Sequence, residues 1–217
     1  ICRNNDILLI LDEVITGFGR TGKYFAAEHW NLQPDIIVFG KGISSGYVPL
    51  SGIVVRQHIY EEMARSGVNF STGHTFSGNP LAAANALAVL KYMKKNDIVK
   101  KVEYKGLILE KALKEMMERC RMVCDIRGKG LLWGVEFSKD KSGRNFFYPK
   151  DNITERVVKA CFSSGLIVYP SSGFIDGKYG DSVLISPPLI IAEKEINLLT
   201  ELLETSIRSV EKEVFGS

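Results

Sequence analysis

The chain has 217 residues, of which 45% are hydrophobic and 24% charged, and a formal net charge of +3; this is globular material, and it excludes a disordered or low-complexity chain. Lys and Arg are interspersed with Asp and Glu, so no basic surface for nucleic acid or an anionic membrane is expected, and no apolar run approaches the roughly 20 residues of a membrane span. Cys2, Cys120, Cys124 and Cys161 lack zinc-site spacing and a histidine cluster; they are expected to be free thiols of a cytoplasmic protein, with no metal site.

The chain opens at Ile1, without a charged-then-apolar leader, and soon enters the apolar run Ile7-Leu8-Leu9-Ile10-Leu11. A buried strand needs neighbours to pair its backbone and cover its side chains, and none precedes this one. The chain is therefore expected to be the C-terminal half of a longer polypeptide. A second run, Ile36-Ile37-Val38-Phe39, follows. Continuous runs of this length, bounded by turn signals, read as parallel strands buried on both faces. Between them, Gly17, Gly19 and Gly22 mark a turn and residues 24–30 a short helical segment, the crossover that a parallel pair requires. Residues 17–22 spell G-x-G-x-x-G, but the glycines begin several residues after the strand and Asp35 precedes the second strand instead of ending it, so a dinucleotide site is not expected.

The first run delivers Asp12 and the second Lys41. Ligands of open parallel sheets bind beyond the carboxyl ends of the strands, so an acid and an amine would face one crevice. A cofactor with an aldehyde and a basic ring nitrogen, pyridoxal 5'-phosphate, uses such a pair: the lysine forms a Schiff base, and the carboxylate keeps the ring nitrogen protonated. Taken alone, a lysine after a strand is more often a solvated loop residue, and an aspartate there is commonly a helix cap.

Small residues over 42–46 suit close approach of backbone to a ligand. Residues 51–55 read as a strand. The link to it from Phe39 is short, contains Pro49 and has no helical pattern, which predicts an antiparallel return. Residues 57–65 predict a helix, 70–79 a polar loop, and the small and aliphatic residues 81–90 a helix with Pro80 in its first turn. Near Asp97 the composition shifts to a charged amphipathic helix over 99–120, with Val102, Leu107, Leu109, Leu113, Met116 and Met117 as apolar positions. Strands at 123–127, 131–137, 166–169 and 183–186, a turn at 139–145 and helices at 153–163 and 192–213 then predict an α+β unit. The shift divides the chain into 1–96 and 97–217.

Asp12-Glu13-Val14-Ile15-Thr16-Gly17-Phe18-Gly19-Arg20-Thr21-Gly22, Pro34-Asp35-Ile36, Gly40-Lys41-Gly42, Gly73-His74-Thr75-Phe76-Ser77-Gly78-Asn79-Pro80 and Ser186-Pro187-Pro188-Leu189 stand in an order and spacing that resemble the class III aminotransferases. The resemblance covers essentially the whole chain. It implies an α/β, fold type I pyridoxal-phosphate-dependent transferase, with residues 1–96 the C-terminal part of the large, mostly parallel-sheet domain and 97–217 the small domain. It also implies that Lys41 carries the cofactor, Asp12 meets its ring nitrogen and Val14 packs on its ring. Thr75 would reach the cofactor phosphate of the other subunit, making the enzyme a homodimer with shared active sites. Ile15 stands where many relatives have a glutamine on the ring hydroxyl, so that contact is expected to be absent. A glycine-rich phosphate turn and a stacking aromatic belong to the family's N-terminal half.

The form of the first motif resembles the branch that uses amines or ω-amino acids with pyruvate. Some relatives hold a donor carboxylate with an arginine before the Ser-Pro-Pro motif; here the segment 176–181 offers only Lys178, a flexible point charge. The implied function is transamination between a small-molecule amine or ω-amino acid and a keto acid, pyruvate in preference, with a broad donor range. The alternatives are an aminomutase or racemase of the same family, or a catalytically incomplete fragment.

Overall fold

The computed structural model describes residues 1–67 and 73–216, and the chain forms two compact units, Ile1–Lys100 and Lys101–Ser217. In the first, β1 (Ile10–Asp12), β2 (Ile36–Phe39) and β3 (Gly52–Val55) make a sheet in that order. β1 and β2 are parallel, with Ile10 opposite Ile36 and Asp12 opposite Val38. β3 returns antiparallel, Phe39 opposite Gly52, as the short link predicts. The crossover from β1 to β2 passes through a 3-10 helix, Ala26–Trp30.

The first strand departs from expectation in length and burial. Asp35 places a carboxylate oxygen 2.8 Å from the Leu9 amide, so this side chain takes a donor at the start of the ladder, and the strand begins at Ile10. Ile7, Leu8 and Ile10 are each more than half exposed, because β1 is an edge strand with β2 as its partner among the described residues, and three strands do not cover both of its faces. Arg56 steadies the same corner, donating through Nε to the Pro34 carbonyl at 2.8 Å.

After β3 come α1 (Gln57–Ser66) and α2 (Pro80–Lys95). Asn79 caps α2 by accepting from the Leu81 and Ala82 amides at 2.9 and 3.1 Å, and Pro80 fills the first helical position, where no amide partner is lost. α2 packs against the 3-10 turn Lys41–Ser44. Residues 70–72 of the expected polar loop lie outside the described residues.

α3 (Ile98–Arg119) leads into the second unit, where β4 (Val123–Lys129), β5 (Leu132–Phe137), β6 (Tyr169–Ile175) and β7 (Tyr179–Ile185) form an antiparallel sheet ordered β4-β5-β7-β6. α4 (Ile153–Ser163) packs against α5 (Glu193–Phe215). The core draws Val102, Leu109, Leu113 and Met116 from α3, alternate residues Trp133, Val135 and Phe137 from β5, and Ile196, Leu203 and Ile207 from α5. Leu107, expected on the apolar stripe, is 63% exposed. The inward position of that turn is Gly106, where a Cβ would lie 2.5 Å from Gly130 Cα, so glycine permits the helix to pass close to the β4–β5 turn.

The short strand expected over 166–169 is instead β6, which starts at Tyr169 and pairs with β7 across the turn at Asp176 and Gly177, both in the left-handed region. Three residues, 176–178, separate the paired Ile175 and Tyr179, and the left-handed Asp176 and Gly177 let the chain reverse over that span. Pro170 is tolerated because β6 is an edge strand. Lys178 ends the turn, exposed, its amide 3.1 Å from the Ile175 carbonyl.

Candidate active site

β1 and β2 run in the same direction and in register, so their carboxyl ends open on one edge of the sheet. Asp12 is the last residue of β1, and Lys41 follows β2 after Phe39 and Gly40. Both side chains are exposed. The Asp12 carboxylate accepts the Val14 amide at 3.0 Å, a local turn that fixes the chain as it leaves the strand. A Cβ built on Gly40 would lie 3.5 Å from Val14 Cγ1, so Val14 stands beside the backbone that enters Lys41. The structure thus brings Asp12, Val14 and Lys41 together.

Lys41 has φ 41°, in the left-handed region, which a side chain with a Cβ occupies at a cost of about 1–2 kcal/mol. Bonds on either side hold it there: the Ile43 amide donates to the Gly40 carbonyl, and the Ser45 amide to that of Gly42, each at 3.2 Å. Beneath the turn, the Phe18 ring meets Phe25 and Phe39 edge-on, with centroids 5.3 and 5.8 Å apart. This aromatic cluster is a floor for the Gly40-Lys41-Gly42 turn; a Cβ on Gly42 would sit 3.0 Å from Phe18 Cβ.

Thr75 lies in an exposed turn before α2, where the Ser77 amide donates to the His74 carbonyl at 2.9 Å. No described contact joins it to Asp12, Val14 or Lys41. Ile15 is 52% exposed.

The sequence reading overlooked Glu13. Its carboxylate is buried, 2% exposed, and accepts the Thr16 hydroxyl together with the Ala26 and Ala27 amides at 3.0 and 2.8 Å. An acid beside an acid offers no periodic signal, and its backbone partners lie 13 and 14 residues away.

Exposed carboxylate, exposed primary amine and an intervening aliphatic side chain form a donor set that suits a cationic heteroaromatic ring bearing an aldehyde. Among the described residues, no group of His, Cys, Asp and Glu side chains is able to hold a metal, and no helix is long and apolar enough to cross a membrane.

The family model described as Aminotransferase class-III matches residues 1–207. An uncharacterized aminotransferase, YodT, of Bacillus subtilis is 42% identical over 98% of this chain and 48% of its own length. A transaminase of the marine bacterium Virgibacillus superposes with TM-score 0.92 at 34% identity, over 98% of this chain and 47% of that one. An (S)-enantioselective omega-transaminase of Thermomicrobium roseum does so with TM-score 0.88 at 37% identity, over 96% and 45%. The chain spans about half the length of the curated relatives it matches.

Proposed function

The chain belongs to the class III aminotransferases, and from that premise we propose that the protein carrying it transfers an amino group from an amine or ω-amino acid to a keto acid, pyruvate in preference. The carrying observation is the placement of Asp12 and Lys41 at the carboxyl ends of two adjacent parallel strands, with Val14 against Gly40. The likeness to the omega-transaminase of Thermomicrobium roseum supports the donor class.

Pyridoxal 5'-phosphate, when bound, supplies an aldehyde that takes up the donor nitrogen and a ring that draws electron density from the donor carbon. Lys41 Nζ would hold the aldehyde end, and as a free amine it would carry a proton off the donor carbon that bears the nitrogen. Asp12 holds a proton at the ring nitrogen, since a neighbouring negative charge favours the protonated form. Val14 supplies an apolar wall that fixes the ring plane and excludes water from it. Thr75 donates its hydroxyl to the phosphate in the partner subunit's site, so the active form is a homodimer. The first compact unit is assigned to the large cofactor-binding domain and the second to the small domain. Four free cysteines suit a cytoplasmic location.

The test uses the complete protein. The wild type should consume pyruvate with a range of amines lacking an α-carboxylate, and Lys41→Ala should lose both that activity and the borohydride-reducible link to the cofactor. Strict dependence on α-carboxylated donors or on 2-oxoglutarate would overturn the donor assignment. Interconversion of one substrate without keto-acid consumption would indicate a mutase or racemase. Thr75→Ala should weaken cofactor retention by roughly ten- to a hundredfold, the worth of one hydrogen bond to a charged group. Mixing Thr75→Ala and Lys41→Ala subunits should restore activity, because one site of each heterodimer then carries neither defect; no recovery after verified exchange would put Thr75 in its own subunit's site.

A further inference from the structure

Glu13 is the only Asp, Glu, Lys or Arg side chain that is buried among the described residues, and a buried charge persists only where hydrogen bonds replace its water. Three donors do so here: the Thr16 hydroxyl and the Ala26 amide on one oxygen, and the Ala27 amide on the other. Its backbone is held as well. The Glu13 amide donates to the Val38 carbonyl at 2.8 Å, the bond that closes the Asp12–Val38 pair at the end of β1, and its carbonyl accepts the Gly17 amide at 2.9 Å.

Successive side chains of a strand point to opposite faces. Anchoring Glu13 inward on the 3-10 segment therefore dictates the outward direction of Asp12, whose carboxylate also accepts the Val14 amide two residues on. Releasing Glu13 frees the end of β1 to rotate, and a displacement of about 1 Å at a reacting group is enough to lose on the order of a hundredfold in rate.

We propose that Glu13 is a positioning residue for Asp12, its buried carboxylate gripping Thr16, Ala26 and Ala27 so that the neighbouring carboxylate is aimed at the cofactor ring nitrogen. This rests on the assignment of Asp12 to that nitrogen. A role confined to stability would weaken every ligand alike. A positioning role would weaken specifically the contact at the ring nitrogen.

The experiment compares, by equilibrium binding to the complete apoprotein, pyridoxal 5'-phosphate with its 1-deaza analogue, in which carbon replaces the ring nitrogen. The wild type should prefer the natural cofactor, and Asp12→Ala should abolish the preference. Glu13→Gln, which keeps one acceptor oxygen and loses the other, and Thr16→Val, which removes one donor, should each lower the preference by about tenfold, the equivalent of one hydrogen bond. Thr16→Ser should restore it. Should Glu13→Gln fail to fold, the two Thr16 variants carry the test alone. An unchanged preference in the Glu13 and Thr16 variants, whatever their absolute affinity, would overturn the proposal while leaving Asp12 in place. An unchanged preference in Asp12→Ala would remove the assignment of Asp12, and the proposal with it.

Discussion

Lys141 and Cys120 share one corner of the second unit and show opposite answers to burial at the scale of a residue. Lys141 keeps its stem exposed and points its ammonium at the end of α3, donating to the carbonyls of Met117, Cys120 and Val123, the last two at 2.6 and 2.9 Å. It thereby satisfies acceptors that a helix end leaves open. Cys120 is fully buried, and burial, reinforced by the nearby Glu211 and Glu204 carboxylates, pushes its thiol up to about 12. The neutral thiol is the form the fold accepts. Its contribution is complete below the unfolded value of about 8.5 and is lost as pH rises through the folded value, by roughly 1.4 kcal/mol per pH unit in between. Cys120→Ala should flatten the fall in stability above about pH 9. Alkylation at pH 8 followed by mass spectrometry should label Cys2 in the native protein and Cys120 only after denaturation; equal labelling of the two would contradict this account.

At the scale of elements, α4 is capped from outside itself. Its own N-cap residue, Asn152, makes no side-chain cap bond. Asp181 of β7 instead accepts the Thr154 amide at 3.0 Å and the Thr154 hydroxyl at 2.7 Å. Asp181→Ala should cost about 1–2 kcal/mol, the worth of a lost cap, read as faster amide exchange in the first turn of α4; unchanged exchange there would show that the bond holds nothing. Between α3 and α5, Arg119 forks onto Glu204 at 2.7–3.1 Å and holds that carboxyl below its ordinary range. The bounds of α4 were legible because hydrophobic spacing and a polar start and stop coincide there, and those of β2 because four apolar residues stand between turn signals. β6 was not, because Pro170-Ser171-Ser172-Gly173 carries neither alternation nor β-branched residues. Its hairpin partner and the Asp176-Gly177 turn supply what local sequence does not. Likewise, Asp12 and Lys41 were visible from the strands that end beside them, whereas Glu13 depends on backbone amides that come near only once the crossover has folded.

At the scale of the molecule, the two units distribute their apolar residues differently. The second encloses a continuous core between a four-stranded sheet and its helices, while the three-stranded sheet of the first leaves Ile7, Leu8, Ile10, Ile53 and Val54 more than half exposed. The side chains proposed to meet the cofactor, Asp12, Val14 and Lys41, belong to the first of these. Lys41 illustrates the tension this creates. Its left-handed backbone is a burden on the native state that any residue comfortable there would lift. Asparagine tolerates that conformation better than lysine or alanine, so the apoprotein of Lys41→Asn should melt a few degrees above both wild type and Lys41→Ala, by about 1 kcal/mol. Equal melting temperatures for all three would show that the turn bears no strain. A lineage selected for durability alone would discard this lysine, so under the proposed Schiff-base role its presence marks a compromise in which thermal robustness has yielded to reactivity.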